Sequence, residues 1–116
     1  MRDFFQEQLN ELNRELTRMG ASCEEIIALA SDALTDWDED LVKKVNTIGA
    51  QIDESERTIE SICLKLLLRQ QPVARDLRQI SAAMKMITDM ERIGDHCTNI
   101  AEWVEFSVTG IHEDCQ

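Results

Sequence analysis

Apolar residues recur along the first third of this chain at alternating steps of four and three: Phe5, Leu9, Leu12, Leu16, Met19, Cys23, Ile26, Ala30 and Ala33. A repeat near 3.5 residues draws one continuous seam along a long helix that packs at a shallow angle. The spacing predicts helix from about Arg2 to Leu34. Gly20 lies in its middle, where glycine is intrinsically unfavourable by about 1 kcal/mol relative to alanine. Close approach of a neighbouring helix is the expected compensation. Asp36, followed three residues later by Glu39, has the form of a capping box and predicts a second helix from about residue 37. The acids there also suit the positive end of the helix dipole.

The second seam is Leu41, Val45, Ile48, Ile52, Ile59, Ile62 and Leu66, with Ser55 filling one turn, and it runs to about Arg69. Gln70-Gln71-Pro72 breaks it, because proline disfavours a helical residue before it and is itself a good first helical residue. A third helix over about 72–108 then places Leu77, Ile80, Met84, Ile87, Gly94, Ala101 and Val104 inward. Thr109-Gly110 supplies a left-handed cap, leaving a short tail at 109–116. Three helices of about 33 residues are each about 50 Å long, and short connections make sequence neighbours antiparallel. The expected fold is therefore all-α: an elongated up-down-up antiparallel three-helix bundle, one domain over residues 1–116.

Composition agrees, since one proline, four glycines and no tyrosine among 116 residues disfavour a β-rich or loop-rich fold. A formal charge of −11 argues against nucleic acid or anionic lipid as partner, both of which need a basic footprint. It permits cations and basic protein surfaces. Met1-Arg-Asp-Phe-Phe-Gln opens no signal peptide, and the run Ile62–Leu68 is too short to cross a bilayer and contains Lys65. A cytoplasmic protein with no membrane insertion is expected. Cys23, Cys63 and Cys97 fall at apolar-face positions without CxxC spacing and read as reduced core residues, with Cys115 in the tail.

The candidate chemistry lies in Ile87–Glu102. Beside its apolar positions, Glu91, Asp95, Asn99 and Glu102 recur at steps of four, four and three and share one side of a helix. Oxygen donors aligned along the edge of a buried face are what a hard metal ion needs. Asp53, Glu56 and Glu60 form a second stripe on the second helix and can face the first if the two helices are neighbours. Carboxylates about 6 Å apart repel by roughly 0.7 kcal/mol per pair even in water, and a divalent ion reverses that sign. The same acids also fit a plain solvated flank, common beside helical seams. His96 lies off the stripe and lacks the Glu-x-x-His spacing of carboxylate-bridged di-iron bundles, and His112 is in the tail. No nucleophile, phosphate loop or organic-cofactor motif appears, so no enzyme is expected. Arg75, Arg78 and Arg92 can bind an anion, or pair with Asp76, Asp89 and Glu91 nearby.

Several blocks carry a resemblance: Gln70-Gln71-Pro72-Val73-Ala74-Arg75-Asp76-Leu77-Arg78, Ala82-Ala83-Met84-Lys85, Asp89-Met90-Glu91-Arg92-Ile93-Gly94-Asp95 and Asn99-Ile100-Ala101-Glu102. Together they resemble the PhoU family, regulators of the phosphate-specific transport system, over nearly the whole chain. The resemblance implies a cytoplasmic, non-enzymatic regulator of phosphate uptake and phosphate-starvation signalling. Its implied partners are a sensor histidine kinase and the ATPase subunit of a phosphate transporter. It also implies divalent or iron ions (Fe, Zn, Mn, Mg or Ni, not distinguished) held by paired E/D-x-x-x-D motifs. Glu91 and Asp95 match the third-helix motif, Asp53 matches the end of the second-helix motif, and Asn99 adds a neutral donor. Gly49 stands where the first acid of the second-helix motif belongs. Family members usually carry two such bundles in tandem, so a single bundle is expected to homodimerise. The alternative is a metal-free helical scaffold unrelated to phosphate.

Overall fold

The computed structural model describes residues 2–69 and 72–110 of the chain. Gln70 and Gln71 of the expected break, and the tail from Ile111 with His112 and Cys115, lie outside the described residues. Three helices follow one another, α1 (Arg2–Thr35), α2 (Glu39–Arg69) and α3 (Ala74–Thr109), each packed against the other two. The body measures 57 × 27 × 17 Å, the slender rod that the seams imply.

The α1 seam is buried as the spacing predicts, with Leu16 partly buried against it. On α2 the inward positions are Val42, Val45, Ile48, Ile52, Ile59, Ile62, Cys63 and Leu66, while Leu41 is only half-buried. On α3 the phase differs from expectation. Asp76, Ile80, Ala83, Ile87, Gly94, Cys97 and Ala101 face inward, whereas Leu77 and Met84 are exposed and Val104 is half-buried. With the partly buried Met90 between Ile87 and Gly94, this set alternates steps of four and three, and Leu77 and Met84 lie one position beyond it, on the flank. Cys23, Cys63 and Cys97 are free buried thiols, in line with the reading as core residues.

The ends also sharpen the expectation. α2 begins at Glu39, not at 37, and its cap is Asp38, whose Oδ1 accepts the Asp40 N–H at 3.0 Å. Asp36 instead donates its own N–H to the Asp32 carbonyl at 2.8 Å, prolonging the last turn of α1. α3 begins at Ala74 behind an extended Val73, so Pro72 precedes the helix and does not open it. Gly110 closes α3 at φ 75°, donating its N–H to the Phe106 carbonyl at 2.8 Å.

Two α1–α3 contacts set those helices parallel and in register. Gln79 Nε2 donates to Asn13 Oδ1 at 3.5 Å, and the Cys23 thiol to the Met90 carbonyl at 3.5 Å. α2 and α3 run antiparallel and meet closely at two glycines. A Cβ on Gly94 would lie 3.3 Å from Ile52 Cδ1, and one on Gly49 would lie 2.7 Å from Thr98 Cγ2. Gly20 has no such neighbour: nothing lies within 4 Å of where its Cβ would be. The expected close approach at Gly20 is absent and occurs at Gly49 and Gly94 instead.

Candidate metal centre

The α2–α3 crossing decides which carboxylates meet. Ile52 packs on Gly94, so Asp53, the next residue on α2, stands beside Asp95, the residue after Gly94, and beside Glu91 one turn earlier. Asp53, Glu91 and Asp95 each bring a carboxylate oxygen within 4.8 Å of the other two. Asp53 and Glu91 are half-buried and Asp95 is exposed, so the group sits at a groove edge open to solvent. These are three of the four residues singled out from sequence. Asn99, the fourth, is exposed one turn further along α3, level with the Gly49–Thr98 contact, where α2 offers no carboxylate.

Gly49 itself is buried under Thr98. Any side chain there would force Thr98 aside, so the missing acid of the second-helix motif coincides with a packing contact between the two helices. Glu56 is a member of the cluster that motif matching does not mark. Its carboxyl is pushed up by burial and by the charges of Glu60, Asp53 and Asp95, with Arg57 acting in the opposite sense. The α2 stripe of Asp53, Glu56 and Glu60 is what places it there, facing the acids of α3.

Glu91 carries the strongest electrostatic signature. A hydrogen bond to Asp95 favours its protonated form. Desolvation and the charges of Asp95, Glu56 and Asp53 add to this and push it up to about 7. Four carboxylates thus share one stretch of groove, and one of them holds its proton to relieve the repulsion. The donor set is all oxygen, as hard cations prefer, and a cation would displace the Glu91 proton while joining α2 to α3. The residues fit such an ion.

Arg92 takes no part in these contacts, and the ion pairs differ from those expected. Asp89 pairs with Lys85 at 3.5 Å, and Asp76 turns inward at 1% exposure. Among the described residues no ion pair involves Arg75, Arg78 or Arg92.

Fold and site together define an elongated three-helix bundle with a carboxylate cluster at a helix–helix groove. The chain belongs to the PhoU family, whose PhoU domain matches residues 16–104. It is similar to the phosphate-specific transport system accessory protein PhoU homolog of Clostridium acetobutylicum, 38% identical over 105 residues. That match covers 90% of this chain and 48% of the relative. The Pseudomonas aeruginosa homolog is 38% identical over 97 residues, covering 84% of this chain and 40% of the relative. The Synechocystis homolog is 36% identical over 101 residues, covering 87% and 45%. The chain therefore spans less than half the length of the curated relatives it matches. No solved structure matches significantly.

Proposed function

We propose that this protein is a regulator of phosphate uptake and phosphate-starvation signalling in the cytoplasm, acting by protein contact and not by catalysis. Membership of the PhoU family supports the link to phosphate transport, since the matched relatives are named accessory proteins of the phosphate-specific transport system. A sensor histidine kinase and the transporter's ATPase subunit are the partners this reading implies. Among the described residues no helix is long and apolar enough to cross a membrane.

The observation that carries the mechanism is the convergence of Asp53, Glu91 and Asp95 from two helices. A divalent or iron ion held there would clamp α2 to α3, with Glu56 within reach to complete the oxygen set and Asn99 as a neutral donor at its margin. Binding would discharge the repulsion that now raises Glu91 and stiffen the groove. Regulation then runs through the shape and charge of that groove: acidic and open without metal, neutralised and tied together with it. A second copy of the chain would cover apolar side chains toward the pole where α1 and α3 end, among them Leu34, Trp103 and Val108.

One preparation tests both parts. Protein purified natively is measured for metal content and by light scattering at tens of micromolar, beside the double variant Glu91→Ala/Asp95→Ala. The expected result is metal in the parent, loss of it in the variant, and a dimer mass for both. Equal metal in the two proteins removes the site, and a monomer mass removes the dimer.

A further inference from the structure

The hydrogen bond from Gln79 to Asn13 marks the flank where α3 faces α1. Counting by sevens from it follows that flank along both helices, because the buried seams repeat every 3.5 residues. Beyond Gly20 the count reaches Ile27 and Leu34 on α1, and on α3 it gives Met86, Ile93 and Ile100. Leu34 is 61% exposed, Ile27 and Met86 are close to half exposed, and Ile93 and Ile100 are partly buried against the core. Trp103, also 61% exposed, follows Ile100 by three residues and so stands beside it.

This strip is poor in charge for a chain of net charge −11. Its edges carry Glu24 and Asp89, and Asp89 is matched by Lys85 at 3.5 Å. The side between α1 and α2 is instead lined by Glu11, Glu15, Arg18, Glu54 and Arg57. The side between α2 and α3 holds the carboxylate cluster. The exposed Leu67 and Met84 are seven residues from Glu60 and Glu91 and share the acids' side. A second copy docked there would bring two acidic stripes together, whereas the α1–α3 strip offers apolar contact with few charges, as the centre of an interface requires.

We infer that the α1–α3 face is where two copies of this chain join, leaving both acidic α2–α3 grooves turned outward into water. This rests on the dimer proposed above and names its face. α1 and α3 run parallel at an offset of 66 to 67 residues, so Ile27 is level with Ile93 and Leu34 with Ile100. A two-fold axis along the rod therefore lays α1 on α3 of the second copy, Ile27 against Ile93 and Leu34 against Ile100, apolar on apolar at each step. A surface that matches itself in this way selects a second copy. A basic partner would be drawn instead to the acids on the other sides. From Met86 to Val108 α3 rises about 33 Å, and two adjacent helices present a width of about 20 Å. The face, on the order of 700 Å² per copy, comes near the 800 Å² or so per partner of a standard stable interface.

Sedimentation equilibrium of the natively purified chain over a series of concentrations tests this, with a dimer expected for the parent. Ile27→Glu/Met86→Glu sets acids at two half-exposed positions, and circular dichroism checks that the helices remain. That variant should raise the dimer dissociation constant about 100-fold or more. Trp103→Glu, at a more exposed position, should raise it about tenfold, and it decides alone if the double variant loses helicity. Leu68→Glu/Leu77→Glu, at exposed positions outside this face, should leave the constant unchanged. A monomeric parent overturns the dimer and this face together. A dimeric parent whose constant neither Ile27→Glu/Met86→Glu nor Trp103→Glu moves overturns the face alone, as does equal weakening in the Leu68/Leu77 variant.

Discussion

Gly20 in α1 and Gly94 in α3 each sit inside a helix of more than thirty residues, in opposite surroundings. Around Gly94 the side chain of Ile52 fills the space a Cβ would take, and α2 comes close enough to bring Asp53 beside Glu91 and Asp95. Around Gly20 there is open space, and no group gathers next to it. The same residue type serves helix contact in one place and only weakens a helix in the other. Where a glycine draws two helices together, polar residues just outside the contact are forced into company. The carboxylate cluster is a consequence of that packing as much as of the acids themselves.

Filling the Gly94 contact should break this arrangement with the largest effect. Gly94→Val places branched methyls against Ile52, and overpacking of this kind costs about 1–3 kcal/mol. A lowered midpoint of urea unfolding is expected, since α2 and α3 must separate. An unchanged midpoint would show that the crossing has slack and that the close contact with Ile52 is not needed.

Gly20→Ala probes the other side of the comparison. With nothing for the new methyl to meet and an ordinary helical backbone, alanine should stabilise the protein by about 1 kcal/mol. Thermal unfolding reads the shift directly. A loss of stability would mean that another surface closes on Gly20 in solution.

The smallest effect is expected from the charge cluster, because it sits at a groove edge open to solvent, where screening takes most of the energy out of a charge interaction. Glu91 titrates at about 7 in the folded protein, against 4.5 for its ordinary value, so the folded state holds the proton more tightly. Its contribution to stability is fully present below 4.5 and is lost as pH rises through about 7. Metal-free protein in chelator should therefore lose stability across that window, and Glu91→Gln should flatten the loss. Urea midpoints at about pH 5 and about pH 8 for both proteins check it. Identical slopes would show that the carboxylates are relieved in some other way.

Much of the architecture was legible because it is local. The α1 seam from Phe5 to Ala33 and the Gly110 cap depend on helical spacing and on backbone geometry within a few residues. Where two apolar stripes adjoin, the sequence pattern did not separate seam from flank. Leu77 and Met84 look as suitable for the core as Ile80 and Ile87, yet the structure turns Asp76 and Ala83 inward and leaves both exposed. Capping had a similar ambiguity: Asp36 and Asp38 are both acids before a helix, and only the turn geometry selects Asp38.

For the candidate site, the sequence by itself determined that Glu91 and Asp95 share one side of α3, because four residues make about one turn. It also determined that Asp53 and Glu56 share a stripe on α2, and that Gly49 interrupts the second-helix motif. Only the tertiary structure decided that these stripes meet, that Asn99 lies beyond them, and that Gly49 is occupied by Thr98. The physical reason is register. Spacing along one helix follows from 1.5 Å per residue and 3.6 residues per turn, whereas alignment between two helices is set by side chains far apart in sequence, here Ile52 against Gly94.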